Sequence, residues 1–527
     1  MIHPLQLNLS PQLAYDEAAL REYIAQYLAV DSPRIAGIKL LKRSIDARKR
    51  PIKVVVQLEA YVDEPLPEHA FRFDYPDVSR AEEVIIIGSG PAGLFAALRL
   101  IELGFKPVIL ERGKDVQSRR RDLAALNKEH IVHPDSNYCF GEGGAGTYSD
   151  GKLYTRSTKR GDVRRILETF VAHGADENIL TESHPHIGTN KLPKIITTIR
   201  ESILKAGGEV HFETRVTDFE IKDGRIKSVI ALQKGETVNF EAKQVLLATG
   251  HSARDIFEML DRHKILIEAK PFALGVRVEH PQELIDSMQY HCSRKEAAEQ
   301  REYLPAASYS LVQQIEGTGV YSFCMCPGGI IAPCATGPEE VVTNGWSPSK
   351  RNNPYANSGI VVAIDPTKMR RYQPYGVFSG MQFQKEMERI AWEAGGRTQT
   401  APAQALDDFV KGKLSVSLPD CSYQPGVKSA ALHELLPPFI ARRLQEGLKA
   451  FGKKMRGYIT NEALIVATES RSSSPIRIPR DPEKLHHVQI ENLYPSAEGA
   501  GYAGGIVSAA IDGQRCAEAI AVVKKSS

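Results

Sequence analysis

VIIIGSGPAGLFAALRLIELGFKPVILER, residues 84–112, spells a complete strand, turn, helix and strand. An apolar run from Val84 to Ile87 leads into Gly88-Ser89-Gly90-Pro91-Ala92-Gly93. In such a turn the first glycine allows the tight bend, the second lets a pyrophosphate approach the backbone, and the third lets the helix pack closely. The helix N-terminus then offers unpaired N–H groups and a partial positive charge to an anion. Gly104 ends the helix, Val108 to Leu110 form the next strand, and Glu111 stands at its end, 21 residues after Gly90. A carboxylate there suits free ribose hydroxyls rather than a 2′-phosphate. The unit predicts an ADP-containing cofactor.

The glycine pattern recurs at 141–146 and 499–504, but only the first match follows a clear strand. Residues 146–152 also imitate a phosphate loop, yet Leu153 stands where Ser or Thr must hold magnesium, so a kinase-like reading is rejected.

Upstream, residues 5–9, 16–29, 34–42 and 52–62 read as strand, helix, strand, strand. Leu20, Tyr23, Ile24, Tyr27 and Leu28 recur at helical spacing, and Ile52, Val54, Val56 and Leu58 alternate at strand spacing. Residues 63–82, with three prolines and many charges, read as a linker. Downstream, an irregular segment is expected to Gly161, then two helices with apolar stripes at Val163, Ile166, Leu167, Phe170 and Val171 and at Ile196, Ile199 and Ile203. Four extended runs follow over 210–216, 218–222, 225–233 and 237–242, with Asp223-Gly224 a hairpin turn. They form a β-meander leading to a buried-type strand at 244–250. From 271 to about 457 mixed strands and proline-rich loops suggest a substrate domain, and 493–521 is a glycine-rich loop followed by a helix. The expected division is 1–80, a small α+β domain; 81–270 and 458–527, the two parts of the cofactor domain; and 271–457, the substrate domain.

The chain has 527 residues, 42% hydrophobic and 25% charged, with a formal charge of +3, a composition ordinary for a soluble enzyme of several domains. That near-neutral balance argues against nucleic acid as a partner. Arg119, Arg120 and Arg121, like Arg164 and Arg165, read as solvated faces. Seven irregularly spaced cysteines form no disulfide framework and suggest a reducing compartment. The N-terminus lacks a signal-like pattern, and no run of about 18 apolar residues appears, so a cytoplasmic protein without a membrane segment is expected.

The Gly88 unit, the meander, the strand end Ala248-Thr249-Gly250 and the loop at 499–505, in this order, resemble the glutathione-reductase-type FAD flavoproteins over residues 84–112, 208–250 and 493–521. Cys139-Phe-Gly-Glu-Gly-Gly-Ala-Gly-Thr147, Ser149-Asp-Gly-Lys152, Gly250-His-Ser-Ala-Arg-Asp255 and Phe323-Cys-Met-Cys-Pro-Gly-Gly329 are similar to a bacterial family of uncharacterised FAD-dependent dehydrogenases. The resemblance implies an α/β fold, with a Rossmann-like FAD-binding domain of parallel sheet and β-meander and an inserted α+β substrate domain. It implies that Gly88, Gly90, Pro91, Ala92 and Gly93 hold the pyrophosphate, Glu111 the ribose, and the Val216 backbone the adenine, flanked by Arg112. Gly144, Gly146 and Thr147 would wrap the diphosphate and ribityl chain, with Thr249 and Gly250 near the pyrophosphate. Glu498 takes the place usually held by an aspartate on the ribityl or phosphate oxygens, and Gly504 and Gly505 open a helix aimed at the flavin. A second nucleotide unit and a CxxxxC pair after the first helix are both missing, which leaves NAD(P)H open as electron donor and argues against glutathione-reductase-like dithiol chemistry.

Candidate chemistry lies elsewhere. Cys324 and Cys326, with Cys334 beyond, admit a redox pair, a metal site completed by His291 and Cys292, or buried structural thiols; no metal is assigned. His251 and Arg254 follow the Gly250 turn, where an acid–base histidine would reach substrate, although His-Ser also suits a helix cap. Arg471, Arg477 and Arg480 would suit a substrate carboxylate, or be plain surface arginines. The expected function is FAD-dependent hydride transfer to or from a small organic substrate, with a redox partner protein possible. The rivals are a flavin-dependent RNA-modifying enzyme and a non-catalytic flavin redox sensor.

Overall fold

The first cofactor strand lies at the centre of a five-stranded parallel sheet in the computed structural model, which describes residues 1–67, 71, 73–155 and 160–526, the side chains of 523–526 excepted. The strand order is Leu493–Pro495, Val245–Leu247, Glu83–Ile87, Lys106–Leu110, Glu209–His211, with every pair parallel. Continuous apolar runs such as Val84 to Ile87 fit strands covered on both faces. One face packs on the helices Pro91–Glu102, Val163–Ala172, Leu192–Lys205 and Ile506–Ser526 through Phe95, Phe170, Ile199 and Ala517. The other packs on the helix Arg254–Arg262 and the antiparallel meander Thr214–Lys222, Arg225–Gln233, Glu236–Glu241. This is the expected Rossmann-like α/β arrangement.

The four extended runs resolve differently from the sequence expectation. Residues 209–211 join the parallel sheet, and a bulge between Val216 and Asp218 keeps 214–222 in one strand. Asp223 and Gly224 have φ of 52° and 69°, the successive positive values that a two-residue hairpin turn demands.

A second difference is a helix, Val116–Glu129, inside the segment expected to be irregular. Asp115 caps it, its Oδ1 accepting from the Gln117 and Ser118 amides at 2.8 and 3.2 Å. Its buried face is Val116, Arg119, Leu123 and Leu126. The helical spacing is there, but an arginine holds one core position, which hides the stripe. Leu123 and Leu126 pack against Ala332 and Val342 of the second half of the chain.

That second half is built on a seven-stranded sheet ordered Val312–Ile315, Thr318–Cys326, Tyr355–Ile364, Phe272–Pro281, Leu464–Glu469, Ala401–Ala405, Val427–Ser429. Leu464–Glu469 pairs inside this sheet with both neighbours, past the boundary at 457 expected from composition. The helices Ser379–Gly395 and Pro438–Lys454 cover it. At the N-terminus a three-stranded antiparallel sheet, Ile2–Leu9, Lys53–Val62, Ile35–Asp46, packs on the helix Glu17–Leu28 around Ile24, Val54 and Leu58. Asp16 caps that helix and Ala29 ends it in the left-handed region at φ 53°, within a residue of the expected bounds. Arg43 ties this unit to Glu182 at 2.5 Å. Of the expected linker, residues 68–70 and 72 lie outside the described residues. Among the described residues, no helix is long and apolar enough to cross a membrane.

Candidate functional site

A cavity of about 420 Å³ opens where the C-terminal ends of the parallel strands face the seven-stranded sheet. That is the crevice in which open α/β sheets bind ligands, and the volume falls in the range of small-molecule sites. Its lining draws on separate turns: Gly88, Gly90, Pro91 and Ala92; Gly144 and Gly146; Thr249 and Gly250; Glu498, Gly504 and Gly505. Val216, Glu111 and Arg112 also line it. The helix Pro91–Glu102 starts there with Gly90 as N-cap and no side-chain cap, so its first amides are free for an anion.

The glycines divide by role. A Cβ on Gly93 would lie 2.0 Å from the Gly88 carbonyl oxygen, so this residue stands outside the lining and serves helix-on-strand contact. A Cβ on Gly90, Gly250 or Gly504 would meet nothing within 4 Å, which leaves open space where a diphosphate can approach the backbone.

Other expected cofactor contacts need correction. Glu111 is buried, and its carboxylate accepts from the Ser89 amide and hydroxyl at 2.9 and 2.7 Å and from the Gly113 and Gly141 amides at 2.9 and 3.0 Å. Those bonds use the roughly four acceptor positions of a carboxylate, so a ribose hydroxyl must displace one donor, most simply the rotatable Ser89 hydroxyl. Thr147 is fully buried, lies outside the cavity lining, and donates its hydroxyl to the Glu142 carbonyl at 2.8 Å. It shapes the loop from beneath. Arg112 pairs with Asp255 and lies over the Phe140 ring, 4.4 Å from its centroid.

Arg119, read as a solvated residue, is fully buried. It donates to the carbonyls of Asn137, Tyr138, Glu142 and Gly144 at 2.7 to 3.0 Å, pinning the glycine-rich loop from behind. Arg120 and Arg121 are exposed, as expected. Composition could not separate the first from its neighbours; only its helical register with Leu123 and Leu126 carried the signal.

Just after the Thr249-Gly250 turn, which follows the strand next to that of Gly88, His251 is buried at 9% exposure, and neither ring nitrogen has a hydrogen-bond partner. Glu498 approaches its Nδ1 at 3.4 Å. Ala253, not His251 or Ser252, is the N-cap of the following helix. A buried histidine that lines a cavity with neither ring nitrogen hydrogen-bonded leaves both nitrogens available to a ligand.

Arg254 and Arg471 do not act as a free carboxylate clamp. Arg254 lies outside the lining and grips Glu388 at two points, 2.9 Å each, while Arg471 bonds Glu388, Glu340 and Thr336. The two terminal nitrogens of each guanidinium group are engaged by the helix Ser379–Gly395 and the loop at Thr336 and Glu340, so Arg254 ties the two halves of the chain together while Arg471 braces the seven-stranded half. Arg480 is likewise spent on Asp512 at 2.6 Å, and Arg477 lies exposed beside Tyr502.

Cys324 lines the cavity; Cys326 is buried behind it. Cys139 and Cys334 also line the cavity, the Cys139 thiol 3.7 Å from the Cys334 carbonyl. Among the described residues no group of three or more His, Cys, Asp or Glu is arranged to hold a metal ion. Sequence reasoning also passed over Lys152, which lines the cavity and donates to the Met325 carbonyl, and Arg277, which donates to the Cys324 carbonyl at 3.0 Å.

Comparison with known proteins agrees with this geometry. A family model described as pyridine nucleotide-disulphide oxidoreductase matches residues 82–267, one described as FAD-dependent protein, C-terminal domain-like, matches 271–472, and a domain of unknown function matches 1–61. A digeranylgeranylglycerophospholipid reductase of Methanosarcina acetivorans is 26% identical over 32% of this chain and 37% of that one. A solved flavoprotein/dehydrogenase from Cytophaga hutchinsonii is 12% identical, with 84% of this chain and 79% of that one covered at a TM-score of 0.37. Fold, cavity and family models together define an FAD flavoprotein of the FAD-dependent oxidoreductases. Within that class the chain belongs to the same family as an uncharacterised protein of Clostridium beijerinckii, with which it shares 38% identity over 533 residues, 97% of each chain.

Proposed function

We propose that this chain is a flavoenzyme of the glutathione-reductase type that passes hydride between FAD and a small organic substrate held between the parallel sheet and the seven-stranded sheet. The observation that carries the reading is the cavity itself, on which four glycine-containing turns converge and which His251, with no hydrogen-bond partner on its ring, also lines. The residues present fit the cofactor: open backbone at Gly90, Gly250 and Gly504 for the diphosphate, the uncapped helix after Gly90 for its charge, and the helix after Gly505 for the flavin end. Bound FAD supplies two-electron chemistry at its N5 position.

His251 acts as the acid–base residue, exchanging a proton with the substrate while Glu498, 3.4 Å from its Nδ1, orients the ring. NAD(P)H is proposed as the electron donor, with substrate and donor alternating in one cavity, since the sequence carries one strand-turn-helix glycine unit. A cytoplasmic location, small-molecule partners and an accessory redox protein follow as parts of the same reading.

The test is the absorption spectrum of the purified protein before and after anaerobic addition of NADH or NADPH, with the released cofactor identified. Flavin bands that bleach with one nicotinamide support the reading and name the donor. Bound FAD that neither nicotinamide reduces removes NAD(P)H from it. Protein that holds no FAD after reconstitution overturns it.

A further inference from the structure

Cys324 and Cys326 sit at the end of the strand Thr318–Cys326, where its register with Tyr355–Ile364 breaks between Phe323 and Cys326. Cys324 adopts φ 47°, in the left-handed region that costs a non-glycine residue free energy. The surroundings hold it there. Arg277 donates to the Cys324 carbonyl at 3.0 Å, Lys152 donates to the Met325 carbonyl, and Ser358 donates to the Phe323 carbonyl at 3.3 Å. In a regular strand, residues two apart lie about 6.6 Å apart along the chain. The bulge instead folds Cys326 back onto Cys324, its thiol donating to the Cys324 carbonyl at 3.3 Å, with Cys324 lining the cavity and Cys326 buried. The neighbouring Cys326 thiol, with the Lys152 and Arg277 cations, holds the Cys324 thiol well below the ordinary thiol range, while the Cys324 neighbour and burial push Cys326 up. A cavity-lining thiol favoured as thiolate beside a buried thiol that can resolve it is the arrangement of an oxidant-reactive pair.

We propose that Cys324 and Cys326 form a peroxide-reducing dithiol on the cavity wall, Cys324 as the attacking sulfur and Cys326 as the resolving one. The site rests on the flavin reading only for its source of oxidant, because dioxygen that re-oxidises a flavin leaves as hydrogen peroxide, and it would do so in this cavity. The Cys324 thiolate attacks one oxygen of the peroxide, an S–O bond forms, the O–O bond breaks, and the departing hydroxide takes a proton to become water. The Cys326 sulfur then bonds to Cys324 Sγ, the S–O bond breaks, and the released hydroxide takes the Cys326 proton to become a second water. The cysteines lose two electrons to a disulfide and the peroxide gains them. Two molecules of a small thiol entering the cavity restore the dithiol by exchange and leave as their own disulfide.

The test treats the purified protein, with the flavin it carries, with hydrogen peroxide, then alkylates it under denaturing conditions and maps the peptides by mass. The expected result is a disulfide confined to Cys324 and Cys326, formed at least about ten times faster than any oxidation of Cys139, the partly exposed thiol that shares the cavity. In Cys326→Ser the expected product is a sulfenic acid at Cys324 that dimedone labels. Both cysteines remaining alkylatable in the unmodified protein, or oxidation that begins at Cys139, overturns the proposal. The flavin spectrum of the same samples separates the two readings: bound FAD with inert thiols defeats the dithiol alone, and a disulfide in protein that cannot hold FAD defeats the flavin reading alone.

Discussion

Arg254 and Glu388 meet in a two-point ion pair, both arms at 2.9 Å, with the carboxylate fully buried and shared with Arg471. One partner starts the helix Arg254–Arg262 on the parallel sheet and the other lies on the helix Ser379–Gly395 of the seven-stranded sheet. The pair therefore fixes how the halves close over the cavity. Glu388→Gln leaves two buried guanidinium groups undercompensated, and the expected loss of stability is about 3–5 kcal/mol, read by chemical denaturation.

The same residue gives a pH dependence. Burial alone would raise the Glu388 carboxyl, but Arg254 and Arg471 outweigh it and hold it down to about 2 from its ordinary value of 4.5. A depressed carboxyl contributes stability that is fully present above 4.5 and is lost as pH falls toward 2. Denaturation midpoints are expected to drop across that window in the native chain and to drop less in Glu388→Gln.

Gly90 and Gly93 separate cofactor space from helix packing. Gly90→Ala meets no protein atom and should fold as an apoprotein of unchanged melting temperature while losing FAD affinity. Gly93→Ala drives a Cβ to within 2.0 Å of the Gly88 carbonyl and should lower the melting temperature with or without FAD. Thermal melts of apo and reconstituted protein distinguish the two effects.

His251→Asn removes a buried, cavity-lining imidazole whose ring nitrogens have no hydrogen-bond partner. The expected result is full FAD content with substrate turnover slowed by about 100-fold or more, as for loss of a general acid–base group. Stopped-flow absorbance checks it; a variant that turns over at the native rate would remove His251 from the mechanism.

Arg119→Ala removes a donor from four carbonyls behind the glycine-rich loop; Thr147 still donates to those of Glu142 and Gly144, so the loss falls on Asn137 and Tyr138. Each buried acceptor left unpaired costs about 1–3 kcal/mol, so a loss of several kcal/mol and of FAD binding is expected, measured by melting and by flavin released on gel filtration.

The strand, turn and helix around Gly88 were legible in the sequence because their constraints are local. A tight turn, an approach to phosphate and a helix start each restrict residues within a few positions. The Asp223-Gly224 turn and the helix 17–28 were legible for the same reason. The roles of Arg119, Arg254, Arg471 and Thr147 were not, since an arginine reads the same on a surface as in a core, and what decides is which carboxylates and carbonyls the fold brings to it. The cysteine pair lies between these cases. Its spacing was visible, but whether two thiols two residues apart meet depends on a strand bulge fixed by Arg277 and Lys152, residues 47 and 172 positions away from Cys324 along the chain. The sequence by itself determined the cofactor-binding unit through short-range backbone constraints; only the tertiary structure decided which charged and nucleophilic side chains face the cavity, because their burial and partners come from segments far apart in the chain.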